Sequence, residues 1–251
     1  MKHTDPQTQK AKAGSPTHHA PRNPQPAARR LGFTLIEMLI VVAIMATLAA
    51  LTFPVLSAVK KQTIRTRARG DLTQIETAIE AYQAKFGHYP PDNGGWYSTN
   101  QLYYELLGTT NVPASTPYFQ TLDGSAKLNV SDVPLAFVNV SGFVNCNQPG
   151  NGDEAPTAVS FIREGGIKAN QFVTTSINGK TCNLLGVALD GPYAFTTPTG
   201  QKISPWCYNS SNPTNNPKTF DLWVDVYVGG QTDRLSNWST TPQVVGKPYG
   251  L

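Results

Sequence analysis

Few side chains in this chain of 251 residues are placed to do chemistry. Of the four histidines, His3, His18 and His19 precede Gly32, which leaves His88 alone in the rest of the chain. A Ser-His-Asp or Cys-His arrangement would have to use His88, which follows Gly87 in a stretch that carries no motif. No Gly-rich phosphate loop, Walker sequence or His-Glu-x-x-His pattern occurs, so nothing here points to nucleotide or zinc-hydrolase chemistry. Cys146, Cys182 and Cys207 stand 36 and 25 residues apart, too far for a local zinc knuckle. In an oxidising compartment they allow one disulfide with three possible pairings, and buried free thiols are the equal alternative. Asp221, Asp225 and Asp233 gather around Gly229-Gly230 and offer the hard oxygen that calcium requires. They show no recognisable ligand pattern, and the favoured reading is solvated carboxylates at a strand edge. Trp206, Trp223 and Trp238 read as core or contact residues rather than a sugar platform.

One carboxylate stands apart. From Phe33 to Leu56 the only ionisable side chain is Glu37. A run of that length can span a hydrocarbon core, which needs about 20 apolar residues at about 1.5 Å each. A carboxylate within it costs about 2.5 to 3.5 kcal/mol at the helix centre and less near the end. A cationic partner would offset that cost. Ahead of the run, residues 1–32 hold six basic residues, Arg29 and Arg30 last, against Asp5 alone, for a net charge of +5. The whole chain carries +4, so the remainder is −1 and the pI of 8.9 reports this leader rather than a nucleic-acid surface. Basic residues before an apolar span mark the cytoplasmic side. The leader is rich in Pro, Gln, Ala and Ser without apolar periodicity and reads as disordered.

Gly32-Phe33-Thr34-Leu35-Ile36-Glu37, followed at once by the apolar run, resembles the prepilin processing motif of type IV pilins and type II secretion pseudopilins. The resemblance implies that a membrane peptidase cuts after Gly32 and methylates the new amine of Phe33. It also implies that Glu37 serves assembly by pairing with the Phe33 amine of a neighbouring subunit. Within one helix the two are four positions apart, so an internal pairing is geometrically possible as well. A secretory signal would instead be cut beyond the apolar region, near Ala49-Ala50-Leu51. The leader is longer than the few residues typical of many family members.

The helical pattern continues past Pro54, where a kink is expected. Ile64, Ala68, Leu72, Ile75, Ile79, Tyr82 and Phe86 recur at spacings of three and four, one apolar stripe set against a charged face. Gly87 suits a C-terminal cap, and Tyr89-Pro90-Pro91 forbids continuation. Residues 88–251 are richer in Gly, Pro, Asn, Thr and Ser. Strands are expected at Leu135–Val140, Ala158–Arg163, Gln171–Ser176, Asn183–Leu189, Tyr193–Thr197 and Leu222–Val228, with turns at Asn178-Gly179 and Asp190-Gly191. A short helix is expected over Asn100–Leu107 and an exposed loop over Asn209–Pro217.

The expected organisation is a leader over 1–32 that is removed, a long helix over 33–87 whose first part, 33–56, crosses the membrane, and a β-rich head over 88–251. The fold class is α+β, with the helix packed on an antiparallel sheet, the pilin fold by resemblance. Tyr89-Pro90 and Phe220-Asp221-Leu222-Trp223-Val224 resemble parts of the major pseudopilin of type II secretion, whose calcium-binding C-terminal loop is what makes calcium a candidate ligand of Asp221, Asp225 and Asp233. The function implied is structural and not enzymatic: an inner-membrane, single-pass pseudopilin that polymerises with other pilin-like subunits to help export proteins. Its implied partners are a prepilin peptidase, an assembly platform and that platform's ATPase. The rivals are a type IV pilus subunit for adhesion, motility or DNA uptake, and a membrane-anchored binding domain that never polymerises.

Overall fold

A computed structural model describes residues 32–148, 157–162 and 167–246, with the side chains of 51–57 left aside. The removed leader expected over 1–32 therefore lies outside the described residues, apart from Gly32. The chain divides into two units, residues 1–49 and 50–251. Helix α1 (Leu35–Phe86) runs for 52 residues through both.

In the first unit the helix presents apolar side chains outward on every side. Leu35, Ile36, Leu39, Val42, Met45 and Leu48 are each more than half exposed. Among the described residues no helix is long and apolar enough to cross a membrane. Residues 51–57, which would extend the apolar run, lie outside the described side chains, and so does the kink expected at Pro54.

The second unit buries the stripe that the spacing predicts. Ala68, Leu72, Ile75, Ala78, Ile79 and Tyr82 all enter the core, with Ile64 and Phe86 packed half-buried against it. Gly87 closes the helix, its N–H donating to the Gln83 carbonyl at 2.8 Å. Helix α2 (Leu102–Leu107) follows, with all six side chains buried.

Among the described residues the head contains three four-stranded sheets. The first comprises β1 (Thr109–Val112), β2 (Tyr118–Thr121), β3 (Lys127–Asn129) and β4 (Cys146–Asn147), in the order β3-β2-β1-β4. Between β3 and β4 lies the four-residue helix α3 (Val133–Ala136). The second sheet comprises β5 (Phe172–Ile177), β6 (Lys180–Val187), β7 (Phe195–Thr196) and β8 (Lys202–Pro205), in the order β5-β6-β8-β7. The third comprises β9 (Cys207–Asn209), β10 (Asp221–Val228), β11 (Gln231–Ser236) and β12 (Ser239–Gly246), in the order β12-β11-β10-β9. Pairing is antiparallel except between β1 and β4, which run parallel. The architecture is α+β as expected, but with three small sheets where one was anticipated. Asn178 and Gly179, with φ of 49° and 77°, form the two-residue turn between β5 and β6 that their sequence signals.

Helix α1 meets two of these sheets. Arg65 pairs with Asp233 of β11, Arg69 donates to the Ser236 carbonyl at 2.6 Å, and Gln171 beside β5 donates to Asp71 and Gln74 at 2.9 and 3.1 Å. Leu222, Val224, Val226 and Val228 alternate along β10 as wholly buried residues, the strand period expected of a sheet with one face on a core.

Three expected strands differ. Over Leu135–Val140 the chain forms the end of α3 and a turn: Pro134 in its first turn favours a helix start, and Phe137 and Val140 are buried without joining a sheet. Residues 158–162 form no strand, held instead by single bonds such as Val159 N–H to Asn145 Oδ1 at 2.9 Å, and Arg163 lies outside the described residues. The strand at Tyr193–Thr197 shortens to β7, leaving Tyr193 in a loop.

Candidate processing and assembly site

Gly32 and Phe33 precede the first helical residue in non-helical backbone, and Phe33 is 77% exposed. A peptide bond there is not tied into the i to i−4 ladder of the helix, the condition a peptidase needs to draw a substrate backbone into its site. Thr34 and Glu37 then form a reciprocal cap. The Thr34 N–H and hydroxyl both donate to Glu37 Oε2, at 2.8 and 2.7 Å, and the Glu37 N–H donates back to Thr34 Oγ1 at 3.2 Å. This is the capping box, in which two N–H groups with no intrahelical acceptor are satisfied by side chains. A negative carboxylate in the first turn also complements the positive end of the helix dipole. In the intact chain the Phe33 nitrogen is an amide, so Glu37 is held by Thr34 and not by an amine. Thr34 was absent from the candidates chosen by residue type, although the Thr-x-x-Glu spacing is itself the signature of this cap.

The three C-terminal aspartates are buried rather than solvated, which corrects the strand-edge expectation: Asp221 is 2% exposed, Asp225 5% and Asp233 0%. Each is engaged by different donors. Asp221 accepts the backbone N–H groups of Thr214, Asn215 and Asn216 at 2.8 to 2.9 Å and so fastens the loop expected over Asn209–Pro217. Asp225 takes a two-pronged contact from Arg234, Nε and Nη2 each at 2.8 Å. Asp233 accepts from Arg65 Nε at 2.8 Å, from its Nη2 at 2.6 Å and from Gln231 Nε2 at 2.8 Å. Among the described residues no three His, Cys, Asp or Glu side chains are grouped to hold a metal ion.

Cys146, Cys182 and Cys207 are free and buried. Burial pushes the Cys182 thiol up to about 12 and raises Cys146 and Cys207 as well, which makes all three poor nucleophiles. His88 is exposed, its ring lying beside Tyr82 and Phe86 with centroids at 5.8 and 6.3 Å. Trp206 is buried in the core, whereas Trp223 and Trp238 are half-buried with their rings 5.7 Å apart.

Glu105 is a buried carboxylate that inspection by residue type passed over. It is 0% exposed and accepts the Val144 and Asn145 N–H groups at 2.9 and 3.0 Å and the Tyr82 hydroxyl at 3.1 Å. Burial raises its pKa while these donors pull it down. Its partners join α1, α2 and the approach to β4, so its place is structural.

Residues 28–53 match the prokaryotic N-terminal methylation motif. The chain is 34% identical over 67 residues to the type II secretion system core protein G of Escherichia coli K12, covering 27% of this chain and 46% of that protein. It is 31% identical over 88 residues to the core protein G of Klebsiella michiganensis, covering 35% of this chain and 57% of that protein. It is also 38% identical over 87 residues to the type IV wide pilus major component PilA4 of Thermus thermophilus, covering 35% of this chain and 60% of that protein. The chain spans about half the length of the curated relatives it matches. No solved structure matches it. The methylation motif opens directly into the capped helix, and over about a third of its length the chain is similar to the type II secretion core proteins G.

Proposed function

We propose that this chain is a structural subunit of a pilus-like filament of the type II secretion kind. A prepilin peptidase cleaves it after Gly32 and methylates Phe33, and it polymerises with other pilin-like subunits through the apolar part of α1. The observation that carries this reading is the outward-facing apolar surface of residues 35–48 directly after a non-helical Gly32-Phe33 junction. Among the described residues of its own unit nothing packs over the side chains of Leu35, Ile36, Leu39, Val42 and Met45. Such a surface needs lipid or sister helices around it. Before assembly it anchors the chain in the inner membrane as a single pass, completed by residues 51–56, with the head on the far side from the basic leader.

Cleavage at Gly32 changes the electrostatics of the helix start. It releases a cationic amine on Phe33 within reach of the Glu37 carboxylate of the same or a neighbouring subunit. An ion pair there offsets the cost of carrying a charge into an apolar environment. Work for assembly comes from the ATPase of the inner-membrane platform, since no nucleotide-binding sequence is present. The filament then helps move folded proteins outward. The 38% identity to a type IV wide pilus major component favours a second reading, a type IV pilus subunit; retractable surface pili lost on deletion of this gene would select it over the secretion role.

Intact-mass and N-terminal analysis of the protein from its native membrane tests the processing. A chain that begins with N-methylated Phe33 is expected. A retained Met1 leader, or a cut near Ala50, overturns the proposal.

A further inference from the structure

On the face of β10 turned away from the core, Trp223 and Tyr227 are half-buried and flank the buried Asp225, while the residues between them point inward. A cleft of about 360 Å³ opens on this face, lined by Tyr193, Tyr227, Thr232, Val245 and the Asp225–Arg234 pair. Its far wall is the loop after β6. That loop is drawn onto β10 by the Tyr227 N–H, which donates to the Asp190 carbonyl at 2.8 Å, and held to β8 by Ser204 Oγ, which donates to the Leu189 carbonyl at 3.0 Å. Only glycine permits so close an approach: a Cβ on Gly191 would collide with the Asp225 carbonyl and with Ser204 Oγ. The Asp190-Gly191 pair thus brings Tyr193 against the sheet, where the residue stays 54% exposed.

The lining restricts what can bind. Asp225 and Arg234 pair with each other, so the lining carries no net charge and offers an ionic ligand no unpaired counter-charge. Arg234 spends Nε and one Nη2 hydrogen on Asp225, which leaves further guanidinium donors; the Tyr193, Tyr227 and Thr232 hydroxyls can both donate and accept. A purely apolar ligand would strand those groups out of water, which is costly. The two tyrosines supply ring surface for stacking, and the volume falls in the range of small-ligand sites. Beyond the guanidinium the aromatic surface continues, with Arg234 5.5 Å from the Trp223 ring and Trp223 5.4 Å from Tyr97 and 5.7 Å from Trp238. A ring with C–H faces and a rim of hydroxyls meets each of these demands. We infer that this cleft is a binding site for a neutral saccharide. The site goes beyond the filament reading and stands whether or not the chain polymerises.

The test uses the full chain in a detergent without a sugar headgroup. One arm titrates the methyl glycosides of glucose, galactose, mannose and N-acetylglucosamine by saturation-transfer NMR; the other probes an array of surface-attached neutral glycans. Binding in the first arm identifies a free sugar as sufficient, and binding in the second alone identifies an attached glycan as the ligand. In either case Tyr193→Ala, at an exposed position, is expected to weaken binding by at least about tenfold without changing thermal stability. Arg234→Lys, which keeps the charge but not the planar fork, is expected to weaken it as well. Absence of binding in both arms overturns the proposal, as does binding that survives Tyr193→Ala undiminished.

Discussion

The Tyr82 hydroxyl donates to Glu105 Oε2 at 3.1 Å, tying the last turns of α1 to a carboxylate with no exposure to water. Burial holds the Glu105 pKa above its ordinary value of 4.5, against the pull of the Asn145 and Val144 N–H groups, of Tyr82 and of the more distant His88. With the folded pKa raised, the unfolded chain releases its proton first as pH rises. The contribution of this group is therefore complete below the ordinary pKa and is lost as pH climbs through the folded value. Glu105→Gln abolishes that titration and turns an amide N–H toward groups that are themselves donors. It is expected to destabilise the head by about 1 to 3 kcal/mol at low pH, with the deficit shrinking as pH rises. Denaturant unfolding of both proteins across the acid to neutral range measures this, and a deficit that grows with pH contradicts it.

Arg65→Ala leaves the wholly buried Asp233 carboxylate with Gln231 as its remaining side-chain donor. Removing one partner of such a pair is costlier than removing both. Arg65→Ala is expected to cost on the order of 3 kcal/mol, and the double variant Arg65→Ala, Asp233→Asn less than the single one. A double-mutant cycle in denaturant provides the comparison.

These two ties also mark what the sequence concealed. The α1 stripe was legible because Ala68, Leu72, Ile75, Ile79 and Tyr82 repeat at the helical period, and β5, β6 and β10 because they are apolar or β-branched runs. Strands β1 and β11 were not, being mostly polar, as in Thr109-Thr110-Asn111-Val112, so that pairing rather than composition makes them strands. Glu105 looks like an ordinary surface glutamate between Tyr104 and Leu106, since its donors at 144 and 145 come from 39 and 40 residues away. Asp233 looks solvated until α1 supplies Arg65 from 168 residues upstream. Glu37 was legible because charge is rare where it sits, and its cap is local enough to read from spacing alone.

The buried thiols give a chemical signature. With Cys182 pushed up to about 12 and Cys146 and Cys207 also raised, a thiol reagent at mildly alkaline pH is expected to leave all three unmodified in the folded protein. After denaturation without reductant all three are expected to react. Mass spectrometry counts the labels. A single label under those conditions would mean that two of the cysteines are joined, against the free thiols of the structure.

The Thr34–Glu37 cap separates two roles of one carboxylate. Glu37→Ala removes both the cap and the anion that a Phe33 amine could engage, whereas Thr34→Val removes the hydroxyl contacts and leaves the charge. Losing the cap is expected to cost about 1 kcal/mol at the helix start, which speeds amide exchange over the first turn without unfolding the head. If the charge matters to assembly through the amine, Glu37→Ala abolishes filaments, whereas Thr34→Val still forms them at reduced yield. Glu37→Gln sharpens the comparison, since its amide oxygen can still accept the Thr34 N–H but carries no charge. Electron microscopy of the three variants, paired with hydrogen exchange of residues 34–38, reads the two effects separately. Normal filaments from Glu37→Gln would show that the cap, and not the charge, is what assembly requires.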